Sequence, residues 1–131
     1  MIGLDTNLLV RYFTQDDPVQ SAIATEVLED RLTRQEPGFI SIVAIAEMVW
    51  VLDRSYGLGM DAIANVIERL LAAETLVIEC EREVFTAMAA SREGHGRFAD
   101  ALIGALNTRA GCSRTLSFDR RALRLPGFEY P

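Results

Sequence analysis

The chain has 131 residues, 50% hydrophobic and 24% charged, the balance of a single soluble globular domain over residues 1–131 with a real core. Its formal net charge of −6 argues against a protein that coats nucleic acid without selectivity. No apolar run approaches the roughly 18 residues of a membrane helix. Met1-Ile2-Gly3-Leu4-Asp5 has no basic start of a secretory leader. Cys80 and Cys112 lie in or beside apolar segments, so buried free thiols and a cytoplasmic location are expected.

All 13 basic residues are arginine. Residues 1–91 hold 6 Arg against 15 acids, and residues 92–131 hold 7 Arg against 4 acids. The last third is therefore locally basic. Arginine grips phosphate through a bidentate fork, which suits an RNA face; an arginine-rich solvated surface suits the count equally well.

In chain order, Ile2–Leu4 is a short apolar run before the turn-forming Asp5-Thr6-Asn7. Leu8, Leu9, Tyr12 and Phe13 then recur at helical spacing. Asp17 and Pro18 read as the cap and first turn of a helix, with Ile23, Val27, Leu28 and Leu32 as its stripe. Pro37-Gly38 ends that region, and Phe39-Ile40 is a brief strand. Ser41 caps an apolar helix to about Ser55, which Gly57 and Gly59 break. Met60–Ala73 is amphipathic, with Ile63, Val66, Ile67, Leu70 and Leu71 on one side. Thr75–Glu79 reads as a strand, Glu81–Glu93 as a helix, and Gly94-His95-Gly96 as a loop. Phe98–Ala110 is a helix ended by Gly111. Arg114–Phe118 is a strand, Asp119 opens a short turn or helix, and Phe128–Tyr130 is an edge strand. Short strands separated by helices predict an α/β sandwich with a mostly parallel sheet. Ligands of such folds bind beyond the carboxyl ends of the strands, where Asp5 and Asp119 fall.

Glu47 is the only charge between Ile42 and Leu52. Its helical neighbours are Val43, Ala44, Trp50 and Val51. A helix apolar all round reads as buried, and an ionised carboxylate on it is costly without a cation or donors. A capping box with Ser41 would need an acid at position 44, which is Ala. The alternative is an exposed Glu at the edge of the apolar face. Asp100 is the only charge from Phe98 to Asn107, and Gly104, one turn on, leaves open space beside it. Its alternative is an acid in the first helical turn, favoured by the macrodipole. Asp5 and Asp119 taken singly read as helix caps. Taken together, the acids of strand ends and apolar helices read as one set. Such a set is tolerable only with a divalent cation or with protonation. Oxygen-only ligation points to Mg²⁺ or Mn²⁺, because zinc would want His or Cys.

His95 reads as a surface loop residue, and Gly94-x-Gly96 is too short for a dinucleotide fingerprint. The chain has no GxSxG, P-loop or Cys/His metal motif. Leu8, Leu9, Tyr12 and Trp50 read as core rather than a base-stacking platform.

The run Leu4-Asp5-Thr6-Asn7-Leu8-Leu9-Val10-Arg11-Tyr12-Phe13 with Asp16-Asp17-Pro18 resembles the opening of a PIN-domain ribonuclease. More narrowly, it resembles the VapC toxins of bacterial toxin–antitoxin pairs. Ser41-x-Val43-x-x-x-Glu47, Phe98-Ala99-Asp100-Ala101-Leu102-Ile103 and Ser117-Phe118-Asp119 match the later motifs in order, so the resemblance spans essentially the whole chain. It implies a PIN-like α/β/α sandwich and a metal-dependent endoribonuclease. The implied metal site consists of Asp5, Glu47 and Asp100, completed by Asp119, with Thr6, Asn7 and Ser117 in support. Ser117 stands where Thr is usual, and Arg97 stands where a further acid is often seen. The implied cofactor is Mg²⁺, with Mn²⁺ as substitute. The implied partners are an RNA substrate (transfer or ribosomal RNA), a VapB-type antitoxin that inserts a basic or aromatic residue, and a second copy of the chain. The helices around Ile23–Leu32 and Ile63–Leu71 offer apolar surface for such contacts or for the core. Two other readings stay open: a PIN-like nuclease of RNA processing outside toxin–antitoxin systems, and a non-catalytic RNA- or protein-binding module on the same fold.

Overall fold

The computed structural model describes residues 1–131. The chain divides into two compact units, Met1–Glu79 and Cys80–Pro131. No helix is long and apolar enough to cross a membrane.

The first unit runs β1 (Ile2–Gly3), α1 (Thr6–Thr14), α2 (Pro18–Glu26), a π-helical turn (Val27–Arg31), β2 (Gly38–Ile40), α3 (Ile42–Arg54), α4 (Met60–Ala72) and β3 (Leu76–Ile78). The strands pair in the order β1-β2-β3, both ladders parallel, with Ile2 opposite Gly38 and Gly38 opposite Leu76. Parallel neighbours need long crossovers, and the α1–α2 and α3–α4 pairs supply them. Two bonds extend the ladders at the carboxyl edge. The Leu4 N–H donates to the Phe39 carbonyl, and the Glu79 N–H to the Ile40 carbonyl, each at 2.9 Å.

Helix α2 starts as its sequence predicts, with Asp17 Oδ1 accepting from the N–H of Val19 at 3.1 Å and of Gln20 at 2.9 Å. Its buried side differs from the expected stripe. Ser21 and Ala24 are buried while Ile23 is exposed. The Ser21 hydroxyl donates to the Arg11 carbonyl at 2.8 Å, so the close approach to α1 admits only small residues there. The π-helical turn, with its wider repeat, then shifts the face, and Leu32 alone of the predicted stripe is fully buried.

Helix α3 is capped by Ser41, whose Oγ accepts from the Ala44 N–H at 3.2 Å. Ala44, Ile45, Met48, Val49 and Leu52 are buried. Val43 is 73% exposed and Trp50 60% exposed, and Glu47, between them at helical spacing, is exposed too. The helix is therefore not buried all round, and Trp50 is not core. A helix packed on one side turns its other face outward whatever residues that face carries. In α1, Leu9 is buried while Leu8 and Tyr12 are only partly so. In α4, Ile63, Val66, Ile67 and Leu70 are buried, which makes this stripe core rather than docking surface.

The second unit runs α5 (Glu81–Arg92), α6 (Phe98–Arg109), β4 (Thr115–Leu116), a 3₁₀ turn (Ala122–Arg124) and β5 (Phe128–Glu129). Helix α5 packs on α6, and β4 pairs with β5 in parallel, Thr115 opposite Phe128. Gly111 ends α6 with φ +98°, a conformation that side chains other than hydrogen disfavour. The space that Gly104 leaves is not open. A Cβ there would lie 2.5 Å from Phe128 Cε2, so the aromatic ring of β5 fills it. Both cysteines are free, yet neither is buried: Cys80 is half-buried and Cys112 exposed. Cys112 lies in the polar loop past Gly111, where no apolar segment covers it.

Candidate active site

Asp5 leaves β1 and occupies the cap position of α1 with extended backbone (φ −92°, ψ 161°). Its side chain makes no cap hydrogen bond. The exposed carboxylate is thus not spent on the role that its position suggested. Thr6, next along, is buried. Asn7 is exposed and borders a small cavity with Arg11 and Gln20.

Glu47 lies in the second turn of α3, the helix that leaves the carboxyl end of β2. The expectation of a carboxylate forced into an apolar interior does not hold, because Glu47 faces solvent between Val43 and Trp50. Its candidacy as a site residue rests on topology and motif. Glu79 was not picked out as a site residue by the sequence. It ends β3 at the same carboxyl edge, and its Oε1 accepts from the Ile42 N–H at 3.0 Å. It is a positioning residue for the start of α3. The strand-end rule that drew attention to Asp5 would have found it.

Asp100 sits in the first turn of α6. Its Oδ2 is buried with no hydrogen-bond partner, the only side-chain oxygen or nitrogen in this condition. A macrodipole role explains an acid in a first turn, but it does not explain an orphaned oxygen. Arg97, at the cap position, contributes no side-chain cap.

Asp119 is exposed, and its Oδ1 accepts from the N–H of Arg121 at 2.8 Å and of Ala122 at 3.3 Å. Here the cap reading holds for one oxygen. The Asp119 N–H donates to Ser117 Oγ at 3.0 Å, so Ser117 shapes the turn that carries Asp119.

Asp5 and Glu47 thus belong to the first unit, Asp100 and Asp119 to the second. Within either unit, no three His, Cys, Asp or Glu side chains cluster as metal ligands. The donor chemistry still fits a hard cation: carboxylate oxygens only, one of them buried and unsatisfied. His95 is exposed and lies 3.4 Å from Glu93, the surface residue that its loop predicts. A cavity of 610 Å³ in the second unit, bordered by Arg82, Thr86, His95, Gly104 and Phe128, contains none of the four acids.

The Asp16-Asp17-Pro18 motif is structural. Asp16 accepts from Tyr56, Thr14 and Arg11. These bonds, Tyr56 first and Thr14 second, hold its carboxyl below the usual range. Tyr56 likewise does most to raise the Arg11 guanidinium.

Acids stand beyond the carboxyl ends of short parallel strands, Asp5 after β1 and Asp119 after β4, and the candidate ligand atoms are all oxygen. A family profile of the PIN domain matches residues 2–127, and the chain belongs to the PIN-domain family. Members of this family are in general metal-dependent nucleases that use divalent cations such as Mg²⁺. None of the curated proteins matches the chain.

Proposed function

We propose that this chain is a Mg²⁺- or Mn²⁺-dependent endoribonuclease that acts in the cytoplasm as the toxin of a type II toxin–antitoxin pair. It cleaves transfer or ribosomal RNA and so arrests translation. Membership of the PIN family and the VapC-like order of motifs support the reading. The observation that carries it is the orphaned Oδ2 of Asp100.

By the family motifs, Asp5 and Asp100 would be the residues that hold the cation: the first has a carboxylate free of capping, the second a buried oxygen without a partner. Glu47 would join them as a ligand or as the group that orients a water. Asp119 contributes the oxygen that its turn does not use. When bound, the cation polarises the phosphoryl oxygen and lowers the pKa of a water. The partner is an antitoxin that inserts an Arg or Lys among the carboxylates. Exposed apolar residues of α2 (Val19, Ile23) and α3 (Val43, Trp50) offer surface for it or for a second copy.

The test is RNA cleavage with Mg²⁺ or Mn²⁺. Asp5→Asn and Asp100→Asn should each lose about a hundredfold or more; cleavage at the wild-type rate overturns the reading. Growth arrest on induction, relieved by a co-expressed neighbouring antitoxin, tests the toxin role. Cleavage without arrest points to RNA processing. Absence of Mn²⁺ binding in calorimetry points to a non-catalytic module.

A further inference from the structure

Phe118 is 76% exposed and Tyr130 67% exposed. Their rings meet edge to face, centroids 5.6 Å apart and planes at 79°. The β4–β5 pair brings them together. Leu116 lies opposite Glu129, and the Ser117 N–H donates to the Glu129 carbonyl at 3.0 Å, so each ring sits just past the carboxyl end of its strand. Leu116, two residues before Phe118, is exposed as well. Each large ring carries about 150–250 Å² of surface that gains from being covered. An edge-on pair leaves open both faces of the ring that supplies the edge.

The charges beside the rings say what covers them. Asp119, Arg120 and Arg121 follow Phe118 directly, and both arginines are exposed. Residues 114–131 hold Arg114, Arg120, Arg121 and Arg124 against Asp119 and Glu129. Glu129 is already engaged by Arg114 at 3.6 Å, and one oxygen of Asp119 by backbone N–H groups. An occupant that is flat, apolar and anionic at short intervals fits best. Unpaired nucleotides have this form: every base offers a π-face, and every step carries a phosphate. A duplex hides those faces.

We propose that Phe118 and Tyr130 form a stacking platform for unpaired bases of the RNA substrate, with Arg120 and Arg121 on the adjoining phosphates. The proposal rests on the RNA-cleavage reading and adds to it the residues that would hold the unpaired strand. Phe118 adjoins Asp119, so the platform grips nucleotides beside the acid-bearing turn.

The experiment measures binding of a short fluorescein-labelled unpaired RNA to the full chain in EDTA, where cleavage does not proceed, and cleavage of the same RNA in Mg²⁺. Phe118→Ala and Tyr130→Ala should each weaken binding about tenfold and raise KM far more than they lower kcat. Phe118→Trp should retain affinity. In a Trp50→Phe background, the indole that Phe118→Trp introduces should be quenched on binding. Arg120→Ala and Arg121→Ala should each reduce the salt slope of log affinity by about 0.7. The proposal is overturned if wild type cleaves RNA while both alanine variants bind it unchanged, or if the fluorescence of the Phe118→Trp variant ignores the strand. A platform that instead serves a protein partner gives the same result: unchanged RNA affinity. If wild type neither binds nor cleaves RNA, the nuclease reading itself falls with it.

Discussion

The Glu79 carboxylate at the end of β3 accepts a hydrogen bond from the Ile42 N–H, at the first residue of α3, at 3.0 Å. With Ser41 Oγ on the Ala44 N–H, it satisfies two of the donors that a helix start leaves open. A strand of the sheet thereby fixes where α3 begins, and hence where Glu47 stands. Glu79→Ala should cost about 1 kcal/mol in urea unfolding and lower cleavage by misplacing Glu47. Glu79→Gln keeps an acceptor oxygen and should recover most of both. Equal loss in the two variants would mean that charge, not the bond, is what matters.

Asp5 and Asp17 both precede helices, yet only Asp17 caps one. Asp17→Ala should therefore destabilise by about 1 kcal/mol and leave cleavage nearly intact. Asp5→Ala should stay within about 0.5 kcal/mol of wild type and abolish cleavage. A large stability loss in Asp5→Ala would show that its position serves the fold.

Asp16 sets a pH dependence. Tyr56 and Thr14 hydrogen bonds lower its pKa in the folded protein. A depressed carboxylate contributes stability that is present above its unfolded pKa, about 3.9, and is lost as pH falls through the folded pKa. Wild type should therefore lose Tm more steeply than Asp16→Asn as pH drops below about 4. The two should converge in stronger acid. Parallel Tm curves would exclude the network as the source.

Much of the fold was legible because its punctuation is local. Asp17-Pro18, Ser41, Gly57 and Gly111 each mark an element end by chemistry that needs no neighbour. Packing direction was not legible. The outward turn of Val43, Glu47 and Trp50 depends on which side of α3 meets the rest of its unit, and their apolar neighbours gave no sign of it. Phe128 filling the gap at Gly104 is likewise a contact between residues far apart in sequence. Of the candidate site, the structure adds that Asp5 does not cap its helix and that one oxygen of Asp100 is buried without a partner, and it removes the argument that Glu47 is buried. Asp119 emerged half committed to its own turn. The Phe118–Tyr130 pair escaped notice because its members are separated in the chain and join only through a two-residue parallel ladder.

Gly104→Ala tests that filled gap. The added methyl would meet Phe128 Cε2 at 2.5 Å, and overpacking of this kind costs about 1–3 kcal/mol. The loss should be read as a lower urea midpoint with an unchanged slope. Phe128→Leu in the same background should restore part of it. Unchanged stability in Gly104→Ala would mean that the ring moves aside freely and that β5 is loosely held.

The orphaned oxygen of Asp100 predicts a reversal of stability order. Without metal, a carboxyl group with one oxygen buried and unpartnered opposes folding. Asp100→Asn removes that acid at nearly constant shape, so in EDTA the variant should be at least as stable as wild type. If the folded wild type holds Mn²⁺ as proposed, the ion should stabilise it by about 2.7 kcal/mol at about a hundred times its Kd. The variant, lacking the ligand, gains little. In Mn²⁺ the wild type should therefore unfold at the higher temperature, and EDTA should undo the difference. If Asp100→Asn is the less stable protein in EDTA and responds to Mn²⁺ as wild type does, the buried oxygen is a structural group and the cation is held without it.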